Sequence, residues 1–273
     1  MLKAQETSLF ESPPSMLIDR LSGFDSKTLK RYVRVGRPFI VPGFARHWPA
    51  CEKWNPEYLA TACGESLIPV SHYPDGVTLA AKVPMTVRHY LDAISTTPES
   101  WKQYYMESVE LSELSDQLYR DTSIPTDLDG LQGISDTVFF GLNTGSCCHI
   151  HAHEEAVVFQ LMGTKVFNLY PPSDVRHLYF EPIAQDYRRS QLAFPDVDYQ
   201  KYPLARKLTR IDVTLKAGDA MYLPVHWAHW TSAEEFTFTL TRFFQARLRN
   251  YRFPSPGLRC VTGRLIQLIR DRK

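Results

Sequence analysis

Three histidines alternate in the segment Cys147-Cys148-His149-Ile150-His151-Ala152-His153-Glu154-Glu155. A second motif, Gly218-Asp219 through Leu223-Pro224 to His226-Trp227-Ala228-His229, follows about seventy residues later. Alternation is the period of a β-strand, in which every second side chain points to one face. Read as a strand, the segment turns His149, His151, His153 and Glu155 to the same side. Neighbours on that side stand roughly 6.5–7 Å apart, so two imidazoles can lean onto one ion, whereas three in a row span about 13 Å and cannot. The segment therefore offers a pair of metal ligands, and His229 is the natural third. Imidazole suits Fe, Cu, Zn and Ni alike, so ligand type leaves the metal open. A lone histidine would read as a satisfied core or surface residue; the cluster with a distal partner points to a metal.

The elements around these residues change character along the chain. In the first half, Leu17, Leu21, Phe24, Leu29, Tyr32 and Val33 recur at helical spacing until Gly36-Arg37-Pro38. Phe39-Ile40-Val41 reads as a short strand. Asn55 caps a helix that starts at Pro56, and Thr86 caps another through Val87, Tyr90, Leu91 and Ile94. Ile68–Val70 and 77–79 read as strands around the turn Pro74-Asp75-Gly76. From Thr137 the pattern becomes β: 137–142, the histidine strand running into 157–162, a turn at Gly163-Thr164, the return 165–170, then 211–215, 220–223 and 236–244. Residues 173–207 form an insert of loops and short helices. Turn signals at roughly 8–12-residue spacing imply a sandwich or barrel of antiparallel strands.

Composition sets outer bounds. A chain of 273 residues with 44% hydrophobic and 22% charged residues is ordinary for a soluble globular enzyme, and it is long enough for one all-β domain with its own core. The net charge of +1 argues against a protein that coats nucleic acid. Five cysteines without framework spacing fit a reduced, cytoplasmic protein, and neither a leader-like apolar region near Met1 nor a run of 18 apolar residues is found, which argues against secretion and membrane insertion. Cys147 and Cys148 are adjacent, so a strand sends them to opposite faces and they do not ligate jointly. Trp48, Trp54, Trp227 and Trp230 read as packing residues. Residues 247–273 carry eight Lys/Arg against Asp271, with Leu258, Val261, Leu265, Ile266 and Ile269 at helical spacing. The plainer reading is a packed terminal helix with a basic solvated face; the other is a docking helix that could join a homodimer.

These motifs resemble the JmjC and cupin-like family of Fe(II), 2-oxoglutarate-dependent oxygenases, near the group of the asparaginyl hydroxylase that inhibits hypoxia-inducible factor. The resemblance is carried by Gly36-Arg37-Pro38-Phe39-Ile40-Val41-Pro42-Gly43, His47-Trp48-Pro49-Ala50, Lys53-Trp54, Tyr104-Tyr105-Met106, Gly163-Thr164-Lys165 through Tyr170-Pro171-Pro172, Arg189-Ser190-Gln191 to Phe194-Pro195-Asp196, Tyr202-Pro203, and the Gly218–His229 motif, in that order. It implies a mostly β fold with flanking helices, a double-stranded β-helix (jelly-roll). One domain would span 1–273, with an α/β part at 1–135, the β-helix core at 136–246 and the basic terminal helix at 247–273.

The resemblance also implies roles. Family members carry His-x-Asp or His-x-Glu as the first ligand motif, whereas every pair here is His-x-His. The spacing to the Gly163 hairpin, with His151 twelve residues before it, favours His151, His153 and His229. The competing register uses His149, His151 and His229 with Glu155. Lys165 matches the lysine that binds the distal carboxylate of 2-oxoglutarate, a point charge against a carboxylate, and Tyr105 matches the tyrosine that supports it. A helping threonine of relatives falls on Cys148 in the first register and on Ser146 in the second. Thr241 matches a polar position near the metal-bound end of the cosubstrate, and Arg242 is a spare partner facing the other way.

The activity implied is hydroxylation by Fe(II), O2 and 2-oxoglutarate of an amino-acid side chain in a peptide or protein, or of a small amino-acid-like metabolite. Nucleic acid is a minor partner class, because the basic tail lacks interleaved aromatics. The missing carboxylate ligand keeps two further readings open: a three-histidine cupin dioxygenase acting without 2-oxoglutarate, and a non-catalytic binding protein.

Overall fold

The computed structural model describes residues 18–74, 79–125, 131–142 and 145–271. Among them, thirteen strands form two sheets, antiparallel except where β1 pairs with β2. The strands are β1 Asp19–Arg20, β2 Phe39–Val41, β3 Leu67–His72, β4 Ala81–Thr86, β5 Tyr104–Glu110, β6 Ser135–Leu142, β7 Gly145–His149, β8 Glu154–Met162, β9 Lys165–Tyr170, β10 Ile211–Leu215, β11 Ala220–Leu223, β12 Ala228–Ser232 and β13 Phe236–Gln245. The larger sheet runs β1-β2-β11-β8-β13-β6-β5-β3-β4 and the smaller β10-β9-β12-β7. The helices are α1 Ser26–Val35, α2 Pro49–Lys53, α3 Pro56–Cys63, α4 Val87–Thr96, α5 Pro98–Trp101, α6 Leu111–Leu114, α7 Asp116–Arg120 and α8 Gly257–Arg270. Short 3-10 turns punctuate the insert at Pro172–His177 and Pro203–Lys207. Two antiparallel sheets with flanking helices are consistent with a cupin. Among the described residues, no helix is long and apolar enough to cross a membrane.

Period-two alternation explains how each sheet serves two layers. In β8, Val157, Phe159 and Leu161 join the core under the N-terminal helices, while Ala156 and Val158 turn toward the smaller sheet. In β13, Phe238, Leu240 and Phe244 enter the helix-side core, and Thr239, Thr241 and Phe243 line a cavity on the other face. The smaller sheet answers with Phe167, Leu169, Ile211, Val213 and Leu215 in the layer between the sheets. Its outer face, Cys148, Ala228 and Trp230, is covered by Leu178, Tyr187 and Leu192 of the insert and by Cys260 of α8.

Several expectations are met closely: Asn55 Oδ1 accepts from Tyr58 N at 2.8 Å, and Thr86 Oγ1 accepts from His89 N at 3.2 Å. Others are corrected. The helix read from Leu17 starts only at Ser26, because the Asp25 carboxylate caps Thr28 N at 2.7 Å; Asp19–Arg20 instead pair with β2, and Leu17 lies outside the described residues. The turn through Asp75-Gly76 and residues 77–78 also lie outside them.

The C-terminal helix does not bury the expected apolar stripe. Leu258, Leu265 and Ile269 are 56%, 56% and 60% exposed, and the seam that packs is Gly257, Cys260 and Gly263. A Cβ at Gly263 would stand 2.3 Å from the Tyr187 ring, so close approach of helix to ring requires glycine here. Gly263→Ala is expected to lower stability by about 1–3 kcal/mol, the usual cost of overpacking. A thermal melt reads this directly, and an unchanged melt would show that Tyr187 yields freely.

Candidate functional site

The expected histidine strand is broken. β7 ends at His149, residues 150–153 lie outside any strand, and β8 begins at Glu154 in the other sheet. The connecting loop is held by backbone bonds: Ile150 N to Arg188 O at 2.9 Å, His226 N to His151 O at 3.2 Å, and Ala246 N to His153 O at 2.9 Å. His226 also sets its ring against Ala152 O at 3.3 Å and accepts Arg252 N at 3.2 Å, from a left-handed backbone with φ of 70°.

This loop decides which histidines meet. His149, His151 and His229 bring their ring nitrogens within 4.8 Å of one another. His149 and His229 sit directly opposite on β7 and β12, with ring centroids 4.4 Å apart. His153 is not brought into the cluster. Its Nδ1 bonds the Tyr251 hydroxyl at 2.6 Å and its Nε2 the Tyr187 hydroxyl at 3.2 Å. Glu155 is buried elsewhere, accepting from Asn250 Nδ2 at 2.9 Å and from the Tyr222 hydroxyl. The geometry groups His149 with His151 and His229, whereas His153, which spacing favours, and Glu155 lie outside that group. The reason is the change of sheet between β7 and β8, which ends strand alternation at His149.

The donor set fits a divalent metal. His149 Nδ1 bonds Cys147 O at 2.9 Å and His229 Nδ1 bonds Trp227 O at 3.2 Å. A neutral ring that donates from Nδ1 leaves the Nε2 lone pair free for a metal. His151 has a buried Nδ1 with no hydrogen-bond partner among the described residues. Burial lowers the pKa of all three rings: His149 below its ordinary value, His151 to about 3 with help from the His149 charge, and His229 well below, with His149 and His151 adding to it. All three are thus neutral at physiological pH and need lose no proton to bind a metal.

The histidines open into a cavity of about 1010 Å³ lined from both sheets. Lys165, the first residue of β9, is 3% exposed and points into it, donating to the Tyr105 hydroxyl at 2.8 Å. Burial lowers its pKa to about 7, with the Glu107 charge acting in the opposite direction. Among the described residues no carboxylate lies within ion-pair distance of Lys165. A buried cation without a counter-ion is costly, and an anionic ligand would relieve that cost.

Thr241 lines the same cavity. So does Ser146, bonded to Thr231 Oγ1 at 3.2 Å, whereas Cys148 faces outward into the insert core. Pairing of His229 with His149 and of Thr231 with Ser146 leaves one extra residue in β7, a bulge that turns Ser146 and His149 to the same cavity despite their odd spacing. Arg242 points away, in a bidentate pair with Asp136 at 2.7 Å for each bond. Reading the sequence passed over Glu107, Tyr187, Arg188, Thr231, Thr239 and Arg264, all cavity-lining. Glu107 had a local signal, two residues beyond Tyr105 on one strand; Arg264 had none, since it arrives on a helix far along the chain.

Comparison with known proteins finds relatives similar in sequence. The chain is 27% identical over 216 residues to lysine-specific demethylase JMJ30 of Arabidopsis thaliana, covering 77% of this chain and 49% of that protein. It is 23% identical over 218 residues to lysine-specific demethylase 8 of Xenopus tropicalis, covering 77% and 48%. With the tRNA wybutosine-synthesizing protein 5 of Gallus gallus it shares 26% identity over 255 residues, covering 85% and 78%. The chain thus spans about half the length of the two demethylases. The family model described as the cupin-like domain matches residues 25–250, most of the chain, and the protein belongs to that cupin-like family.

Proposed function

We propose that this protein is a non-haem iron, 2-oxoglutarate-dependent oxygenase that hydroxylates an amino-acid side chain, in a peptide or protein or in a small amino-acid-like metabolite. The observation that carries the reading is one cavity holding both a cluster of three metal-competent imidazoles and a buried lysine that has no counter-ion among the described residues. His149, His151 and His229 would hold Fe(II), which when bound supplies the O2 chemistry that neutral organic side chains cannot. Lys165 and Tyr105 would fix the distal carboxylate of 2-oxoglutarate by a charge-assisted and a neutral hydrogen bond. Ser146, Thr231 and Thr241 add hydroxyls to the cavity wall. The apolar residues Val158, Phe167, Leu223 and Phe243 restrict water around them. The names of the relatives support a substrate that is a protein side chain, and the wybutosine-synthesizing relative makes tRNA the second substrate class to test.

The all-imidazole donor set favours one competing reading, a dioxygenase acting without 2-oxoglutarate. Anaerobic Fe(II) reconstitution followed by 2-oxoglutarate titration, monitored by visible absorption, separates the two. A new charge-transfer band that saturates near one equivalent supports the proposal. No band, together with substrate-dependent O2 uptake and no succinate, supports the alternative. No metal uptake at all supports a non-catalytic binding protein.

The Lys165 environment adds a pH dependence. Its ammonium is needed to bind a carboxylate, yet burial has brought its pKa to about 7 in the free protein. Below that value the proton is already in place; above it, each binding event must take up a proton. Affinity for 2-oxoglutarate is therefore expected to be flat below pH 7 and to fall by up to about tenfold per pH unit above it. Calorimetry in buffers of different ionisation enthalpy reads the proton uptake, and a flat affinity from pH 6 to 9 would mean the ammonium is not the recognising group.

A further inference from the structure

One carboxylate in the cavity has no part in the reading above. Glu107 lies two residues beyond Tyr105 on β5 and lines the cavity with it, next to the β5 bulge at which Ser108 adopts φ of 59°. Its carboxylate accepts a hydrogen bond from the Tyr73 hydroxyl. Burial and the nearby carboxylate hold the Tyr73 phenol strongly protonated, so it remains a donor. Glu107 forms no ion pair among the described residues.

The other cavity carboxylates are placed differently. Glu110 is engaged with Asp136 N at 3.1 Å and with Thr137 at 3.4 Å, Asp186 pairs with Arg188 at 3.5 Å, and Glu154 is exposed. Glu107 shares the wall of one cavity with His149, His151, His229 and Lys165. Arg188, also on the cavity wall, is paired with Asp186.

We propose that Glu107, held by Tyr73, supplies from outside the ligand shell the negative charge that a three-histidine ligand set lacks, and so stabilises a bound divalent cation through space. The inference rests on the metal centre proposed above. Three neutral imidazoles leave both charges of the cation uncompensated, and in a buried cavity such a charge is weakly screened. A fixed carboxylate on the facing sheet offsets part of it without occupying a coordination position, so the sites for cosubstrate and O2 stay open. Glu107 is on this view a positioning residue for charge, acting on the metal and not on the reacting atoms.

The test is metal affinity without substrate or 2-oxoglutarate. The full chain is titrated anaerobically with Fe(II), and with Co(II) as a spectroscopic probe, alongside Glu107→Gln, which keeps the shape and removes the charge, and Glu107→Asp, which keeps the charge. Glu107→Gln is expected to weaken both ions by about tenfold or more, the scale on which a neighbouring charge changes proton affinity. Glu107→Asp should retain most of the affinity, and the Co(II) absorption bands should stay at the same wavelengths in both. Circular-dichroism melts confirm that each variant is folded. Unchanged metal affinity in a folded Glu107→Gln overturns the proposal, and if only turnover then suffers, Glu107 belongs to substrate recognition. Shifted Co(II) bands in Glu107→Gln also overturn it, because they make Glu107 a direct ligand. A wild-type chain that takes up no divalent metal instead removes the metal centre itself.

Discussion

His149→Ala is expected to abolish stoichiometric Fe(II) binding, while His153→Ala leaves it nearly intact. The two residues flank His151 symmetrically in sequence, and spacing to the Gly163 hairpin favours His153. Geometry favours His149 instead. His149 stands opposite His229 with its Nδ1 engaged by Cys147 O, leaving Nε2 for the ion. His153 spends both ring nitrogens on the Tyr187 and Tyr251 hydroxyls. Removing one of three ligands should cost more than the roughly 10–100-fold lost when a hydrogen-bond partner of a ligand is removed. His153→Ala should instead cost stability, about 1 kcal/mol for each half-buried hydrogen bond lost. Metal content after anaerobic loading, read beside a thermal melt, distinguishes the outcomes. Full loading of His149→Ala, or loss of metal from a folded His153→Ala, would restore the register that the hairpin spacing favours.

Much of the fold is legible in the sequence, whereas the grouping of the histidines is not, and the difference has a physical cause. Short apolar strands bounded by turn residues announce themselves locally: Lys165–Tyr170, Ile211–Leu215 and Ala220–Leu223 occupy the ranges their patterns predict. Helix caps are local too, since Asn55 and Thr86 bond groups three residues away. The break after His149 is not local. The alternation of His149, His151 and His153 continues unbroken in sequence, yet pairing with β12 ends at His149 and pairing with β13 begins at Glu154. Pairing between distant strands decides it. The same holds for the bulge that brings Ser146 into the cavity, and for α8, whose seam of Gly257, Cys260 and Gly263 is chosen by the Tyr187 ring and not by its leucines. Glu107 stands two residues beyond Tyr105 on one strand, but that it faces a cavity shared with Lys165 depends on the pairing of distant strands.

Lys165→Ala should weaken 2-oxoglutarate binding while leaving Fe(II) affinity close to wild type. The expected loss is about 1.5–3 kcal/mol, the range for a hydrogen bond to a charged group. It falls toward the upper end if the distal carboxylate is left buried without a partner. The metal should be spared, because Lys165 is not among the three grouped histidines, although its positive charge is felt at His229. Relief of that repulsion would tighten the metal slightly, so the two affinities should move in opposite directions. Tyr105→Phe removes a neutral partner and should cost less, about 0.5–1.5 kcal/mol, while depriving Lys165 Nζ of the acceptor it now holds at 2.8 Å. Paired titrations of Fe(II) and 2-oxoglutarate into the two variants give all four affinities. Equal 2-oxoglutarate affinity in Lys165→Ala and wild type would mean that the buried ammonium awaits some other anion, and the cosubstrate-free reading would then account better for a site built from three imidazoles.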